Sequence, residues 1–316
     1  MTAKLEAVNL SKKYGSFAAL DNLNLKIEGA KCVGFLGPNG AGKTTTLKIF
    51  TDLIRHTSGQ ALINGVDVHE NKKKALSRTS ALIETPEIYQ SLTPKEALGF
   101  VAEIRGIPRD VRAKKIQDAL DTVKMSGWVD KKVGKFSKGM KQRVVLASTL
   151  LNDPEIIILD EPTSGLDPRG MSEVRDIIKS LKSMNRLIFM SSHLLNEVSD
   201  VCDEVAMIDH GKLLVYDTLE NVTSRFSGKG STTSVVEIGF SRPVDVAIFK
   251  KIESISGVLS LEQIDSRNIC VKLETGAENQ ERLQEELVMM KIGMISFKPS
   301  SPALEETYLN MIKDTV

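Results

Sequence analysis

Gly37-Pro38-Asn39-Gly40-Ala41-Gly42-Lys43-Thr44-Thr45 follows directly on the apolar run Cys32-Val33-Gly34-Phe35-Leu36. The first stretch carries the G-x-x-x-x-G-K-[ST] pattern, and the second reads as a buried strand leading into it. Its glycines let successive backbone N–H groups turn inward, and a helix beginning near Gly42 points its positive end at the same spot. Such a turn holds phosphate. The stretch is therefore read as a nucleoside triphosphate site, with Lys43 reaching the β- and γ-phosphates and Thr44 ligating Mg²⁺.

Further landmarks narrow the kind of phosphate-loop protein. Asn152-Asp153-Pro154 breaks a helix, and Ile156-Ile157-Ile158-Leu159-Asp160-Glu161 then reads as a wholly buried strand ending in two carboxylates. Asp160 would hold the metal directly or through water, and Glu161 would take a proton from an attacking water. A plainer alternative has Glu161 only capping the turn at Pro162. Upstream, Phe136-Ser137-Lys138-Gly139-Met140-Lys141-Gln142-Arg143 opens a helix whose apolar face is Met140, Val144, Ala147 and Leu151. Ser137 sits at the N-cap, and a capping serine by itself needs no other role. Downstream come Ser164-Gly165-Leu166-Asp167 and, after the strand Leu187-Ile188-Phe189-Met190, His193.

In this order the pieces resemble the ATP-binding cassette (ABC) family over residues 1 to about 225. The resemblance implies an α/β phosphate-loop ATPase core with a helical subdomain, binding ATP and Mg²⁺. It also implies roles. Tyr14 matches the aromatic that stacks on adenine, although alone it would read as a half-buried surface residue. Ser137 and Gly139 match the signature loop, which in the family contacts the γ-phosphate held by the other subunit. Phe136 and Met140 depart from the commonest signature letters, and Lys138 stands where a glycine is usual. His193 matches the histidine that senses the γ-phosphate, and Asp167 the loop that meets its own copy across the dimer. Glu84, after Ser80-Ala81-Leu82-Ile83, stands where the family usually has glutamine, which puts a further carboxylate at the metal beside Thr44 and Asp160. Glu84 followed by Thr85-Pro86 resembles the ATPases of bacitracin- and lantibiotic-resistance exporters.

Composition bounds the alternatives. With 42 basic against 41 acidic residues the net charge is +1, so no global basic field exists to hold nucleic acid. Lys72-Lys73-Lys74 reads as a solvated helix face. Cys32, Cys202 and Cys270 are scattered without metal-site spacing, which suits a reducing cytoplasm. No apolar stretch approaches the roughly 18 residues that span a bilayer, and the polar N-terminus lacks a signal-peptide core. The expectation is an ATPase subunit at the inner face of the cell membrane, acting as a homodimer or with a second cassette chain and powering a separate permease, as an exporter. A soluble ABC ATPase working on nucleic acid or ribosomes is the alternative; it would favour a long coiled-coil insertion or two cassettes in one chain. A nucleotide-binding regulator without turnover would lack the base that Glu161 supplies.

Patterning divides the chain. Leu23, Leu25 and Ile27 alternate as a half-buried strand, and Ala61-Leu62-Ile63-Asn64-Gly65-Val66 reads as strand, turn and strand. From Thr93-Pro94-Lys95-Glu96 the pattern turns helical, with N-cap, N1 proline and capping-box glutamate in order. Ile116, Ala119, Leu120 and Val123 line the next helix. This gives a nucleotide-binding domain over 1–226, with its helical subdomain at about 85–152, and a polar linker at 227–234. Over 235–316 the order β-α-β-β-α-β suggests a ferredoxin-like α+β domain, closed by a helix at 303–312. Pro302-Ala303-Leu304-Glu305-Glu306-Thr307-Tyr308-Leu309 resembles the carboxyl end of drug-resistance-type exporter ATPases. The small domain carries no catalytic constellation; it reads as a packing or dimer-stabilising module, with ligand sensing as the alternative.

Overall fold

The computed structural model describes residues 2–84, 89–222, 233–274 and 276–300. The chain divides into two compact units between Leu219 and Glu220. The first is built on a sheet of six strands: β3 (Cys32–Leu36), β6 (Thr79–Leu82), β7 (Ile156–Asp160), β8 (Leu187–Ser192), β9 (Glu204–Asp209) and β10 (Lys212–Thr218). Their order is β10-β9-β3-β8-β7-β6, parallel throughout except for β10 at the edge. β3 and β8 are buried along their whole lengths and β7 as far as Leu159, because a parallel sheet is covered on both faces.

A second, antiparallel sheet has the order β2-β1-β4-β5, from β1 (Lys4–Tyr14), β2 (Phe17–Glu28), β4 (Ser58–Ile63) and β5 (Val66–Asp67). On β2 the alternation holds, with Leu23, Leu25 and Ile27 buried between exposed neighbours. Asn64 (φ 50°) and Gly65 (φ 75°) form the β4–β5 turn, both left-handed as a two-residue hairpin turn requires. Helix α1 (Lys43–Phe50) packs against both sheets, and Phe35, Phe50 and Phe189 meet in one core, with centroids 5.2 and 6.2 Å apart. Helix α2 (Lys72–Ala75) exposes all three lysines.

Helices α3 (Pro94–Ile104), α4 (Arg109–Thr122) and α5 (Lys138–Leu150) pack on one another between β6 and β7 in sequence. The start of α3 is a complete capping box: Thr93 Oγ1 accepts the Glu96 N–H at 3.2 Å, and Glu96 Oε2 accepts the Thr93 N–H at 2.8 Å. Two orphan helix donors are thereby satisfied by two side chains. Helices α6 (Pro168–Ser183) and α7 (Leu195–Val201) flank β8. Among the described residues no helix is long and apolar enough to cross a membrane.

The second unit contains β11 (Thr233–Phe240), α8 (Val246–Glu253), β12 (Val258–Gln263), β13 (Asn268–Glu274), α9 (Ala277–Met289) and β14 (Met294–Ser300). Its antiparallel sheet, ordered β12-β13-β11-β14, is the ferredoxin-like arrangement. Val236, Ile238 and Phe240 on the central strand face Ile252, Leu283 and Leu287 of the helices. The strand starts earlier than composition suggests: Thr233 and Ser234, expected in the linker, pair with Glu274 and Leu273. Polar residues are no obstacle to a ladder when backbone groups make the bonds. The rest of the expected linker, the Thr85-Pro86 pair and the closing helix at 303–312 lie outside the described residues.

Replacing Thr93 by Ala should cost about 1 kcal/mol through the lost cap, a fall of roughly 2–4 °C in melting temperature. Thermal unfolding followed by circular dichroism checks this, and an unchanged midpoint would show that the capping box contributes nothing to α3.

Candidate active site

Parallel pairing brings the carboxyl ends of β3, β7 and β8 level, with Asp160 opposite Ser191 and Leu36 opposite Ser192. The loops leaving these strands therefore meet along one sheet edge, where open α/β sheets bind ligands. After β3 the chain turns through residues 37–42 into α1. A Cβ on Gly37 would lie 2.3 Å from the Ile208 carbonyl oxygen, and one on Gly42, whose φ is 107°, would lie 2.6 Å from that of Ala19. Both positions exclude any side chain. Asn39 and Gly40 are exposed, Pro38, Thr44 and Thr45 half-buried, and Ala41 buried.

Lys43 is only 6 % exposed, and its ammonium donates to the carbonyl oxygens of Gly37 (2.7 Å) and Pro38 (3.1 Å). Burial pushes its pKa below the ordinary lysine value, opposed by the charges of Glu161 and Asp160. Glu161 Oε1 lies 3.8 Å from that ammonium, and Glu161 Oε2 lies 3.1 Å from His193 Nδ1. The carboxylate thus stands between an ammonium and an imidazole. Its backbone is left-handed at φ 44°, a conformation uncommon outside glycine and characteristic of functional turns.

Asp160 turns the other way. Its Oδ1 accepts hydrogen bonds from Ser191 Oγ (2.6 Å) and Thr44 Oγ1 (3.2 Å). Ser191 also accepts the Glu161 N–H at 2.9 Å, so one buried hydroxyl fixes both acids. Hydroxyl and carboxylate oxygens converging in this way suit a small, hard cation such as Mg²⁺. No group of three or more His, Cys, Asp or Glu side chains among the described residues could hold a metal.

The signature segment is assembled next to this edge. Ser137 caps α5 by accepting the Met140 N–H at 3.2 Å, and Gln142 Nε2 donates to the Pro162 carbonyl at 2.8 Å. Gly139 meets Gly170 of α6: a Cβ on Gly139 would lie 3.2 Å from the Gly170 Cα. Asp167 caps α6, accepting the Gly170 N–H at 3.3 Å. No hydrogen bond among the described residues joins Ser137 or Gly139 to residues 37–45. Two further residues pair with lysines. Glu84 (φ 57°) is ion-paired with Lys48 of α1 at 2.6 Å, and Tyr14 ends β1 half-exposed with Lys12 Nζ 4.8 Å from its ring centroid. The motifs legible in the sequence give Ser191 and Gln142 no role. The signal for Ser191 was a pair of hydroxyl residues closing an otherwise apolar strand, whose facing partner only the strand register reveals.

The model of the family described as "ABC transporter" matches residues 20–164. The bacitracin transport ATP-binding protein BcrA of Bacillus licheniformis is 45 % identical over 215 residues, 68 % of this chain and 69 % of its own length. The lantibiotic transport ATP-binding protein SrtF of Streptococcus pyogenes is 38 % identical, covering 71 % of this chain and 96 % of its own length. The linearmycin resistance ATP-binding protein LnrL of Bacillus subtilis aligns over 99 % of both chains at 27 % identity. Among solved structures, an ATP-binding subunit of an ABC transporter superposes with a TM-score of 0.63 at 27 % identity, over 72 % of this chain and 95 % of that one. The likeness extends well past the phosphate loop and includes the strand that ends at the two acids, so the chain belongs to the ABC transporter family as an ATP-binding, ATP-hydrolysing subunit.

Proposed function

We propose that this chain drives an exporter, two cassettes closing head to tail on two Mg-ATP molecules at the cytoplasmic face of the membrane. ATP-binding subunits of the family dimerise and work with transmembrane chains; here the second cassette would be another copy or a related chain, and the permease a separate polypeptide. The names of the relatives, bacitracin transport, lantibiotic transport and linearmycin resistance, support export. The alternative of a soluble ATPase on nucleic acid or ribosomes draws no support from these relatives or from a net charge of +1.

The observation that carries the reading is Glu161 set between Lys43 and His193. In this reading Glu161 takes the proton of the attacking water, and His193 orients that carboxylate and reports on the γ-phosphate. Lys43 leaves the Gly37 and Pro38 carbonyls for the β- and γ-phosphate oxygens, since an ammonium gains more from an anion than from two neutral acceptors. Thr44 and Asp160 would hold Mg²⁺, which when bound neutralises phosphate charge. Residues 37–45 cradle the phosphates and Tyr14 supports the base. Ser137 and Gly139 serve the nucleotide of the neighbouring subunit, as their match to the family's signature loop suggests. Glu84 exchanges Lys48 for the metal when Mg-ATP is present. The nucleotide-binding domain then lies within the first compact unit, Met1–Leu219, and the unit whose sheet begins at Thr233 is an accessory module that stabilises the assembly.

Glu161→Gln should bind Mg-ATP normally, lose about 10²- to 10⁴-fold in turnover, and accumulate as a closed dimer in size-exclusion runs. Near-normal turnover would mean that another group is the base. The composite site has its own test. Mixing inactive Lys43→Ala with inactive Ser137→Arg creates heterodimers holding one intact and one doubly damaged site, so part of the activity should return. Hydrolysis by a demonstrably monomeric protein, with a specific rate independent of concentration, would rule the head-to-tail dimer out.

A further inference from the structure

Glu197 is 3 % exposed, on α7, four residues beyond His193. Its Oε2 accepts a hydrogen bond from Ser192 Oγ at 2.9 Å, while Oε1 is buried and makes no hydrogen bond among the described residues. A buried side-chain oxygen without a hydrogen bond opposes folding, because its desolvation is not offset. Stability alone therefore gives no reason for a glutamate here. What the residue does is visible in its partner. Ser192, 1 % exposed at the end of β8, also accepts the Leu194 N–H at 2.9 Å, closing a tight turn around His193. A serine hydroxyl has one proton, and its acceptors here are Glu197 Oε2 at 2.9 Å and the Leu194 carbonyl at 3.3 Å; giving it to the nearer carboxylate leaves a lone pair aimed at the Leu194 N–H. The His193 side chain is 40 % exposed, and its ring pairs with Glu161 at 3.1 Å.

The helix that carries Glu197 is in turn fixed to the phosphate-loop strand. Gly34 lies midway along β3, and a Cβ there would fall 2.5 Å from Val198 Cγ1 and 3.1 Å from Cys202 Sγ. α7 therefore sits directly on the β3 backbone, with no room to slide. The geometry points to Glu197 as a positioning residue: from a helix anchored on the phosphate-loop strand, it orients the Ser192 hydroxyl, which sets the turn that places the His193 imidazole on Glu161. This rests on the reading that His193 serves turnover. It adds a connection by which the strand bearing the triphosphate turn and the histidine that approaches the base are held in one packed unit.

The test uses the full chain and two readouts. Glu197→Leu keeps the volume and removes the acceptor, Glu197→Gln keeps a carbonyl acceptor for Ser192, and Ser192→Ala removes the intermediary. Glu197→Leu and Ser192→Ala should each lower kcat roughly 10- to 100-fold, the scale of a misplaced catalytic group, with KM for Mg-ATP within about twofold. Glu197→Gln should recover most of the rate. Combined with His193→Ala, Glu197→Leu should cause no further loss, as expected for residues acting through one group. Independently of activity, histidine-labelled NMR resolves four imidazoles, and the His193 signal alone should move in Glu197→Leu while those of His56, His69 and His210 stay. If Glu197→Leu does not fold, Ser192→Ala carries the same two readouts. An unmoved His193 signal, or losses that multiply with His193→Ala, overturns the positioning role. A moved signal with full turnover in His193→Ala would leave the positioning intact and overturn the catalytic reading of His193 instead.

Discussion

Ser191 is a small residue on which two large consequences rest. Asp160 and Glu161 are neighbours in the chain and carry like charges, yet they must face different partners. The serine on the adjacent parallel strand donates to the Asp160 carboxylate and accepts the Glu161 N–H, and so fixes the strand end at the point where the backbone reverses into a left-handed residue. A left-handed conformation costs a non-glycine residue on the order of 1–2 kcal/mol. A buried hydrogen bond contributes about 1 kcal/mol, but leaving a buried donor unpaired costs roughly 1–3 kcal/mol. The pairing of strand ends is therefore what makes the bend tolerable, and the bend is what turns one carboxylate toward Thr44 and the other toward Lys43 and His193.

The same edge explains why glycine is required at two places in the phosphate loop for reasons of space. Gly37 lies against the Ile208 carbonyl and Gly42 against that of Ala19, so the loop is clamped between β9 and β2 by contacts of the chain itself. A clamped loop presents its N–H groups without further ordering, which lowers the entropy cost of binding. Lys43 is held the same way, extended along the loop by the Gly37 and Pro38 carbonyls. Its burial favours the neutral amine, and the two nearby carboxylates oppose this. The ammonium is thus desolvated but provisioned with acceptors.

Much of this was legible in the residue order. The apolar runs of β3, β7 and β8, the capping box at Thr93 and Glu96, the Asn64-Gly65 turn and the β-α-β-β-α-β order each follow from local periodicity and turn chemistry, and each is present in the fold. What stayed hidden depends on register and on long-range approach. Ser191 gains its meaning only from lying opposite Asp160. Cys32 and Cys202, scattered in sequence, have sulfurs 3.6 Å apart because α7 lies on β3 at Gly34. Gly139 reads as a signature letter, but it also lets α5 meet α6 at Gly170. Thr233 and Ser234 look like linker because their side chains are polar, whereas their backbones pair with β13.

Glu84 shows how an apparent electrostatic problem is resolved by a residue that no motif includes. A carboxylate where the family usually has an amide would add a third anion beside Asp160 and Glu161. Lys48, one helical turn beyond Thr44 on α1, brings its ammonium to 2.6 Å from that carboxylate, so the neutral amide is replaced by a pair of zero net charge. The hydrogen bond to Glu84 raises the Lys48 pKa, so the lysine stays charged under all ordinary conditions. The Glu84 side chain is 70 % exposed and that of Lys48 29 %, and an ion pair in such surroundings is worth no more than about 1 kcal/mol. An attraction that weak neutralises the carboxylate without immobilising it. The pair therefore removes the repulsion that a third anion would bring and leaves Glu84 free to exchange partners at little cost, which a buried pair could not do.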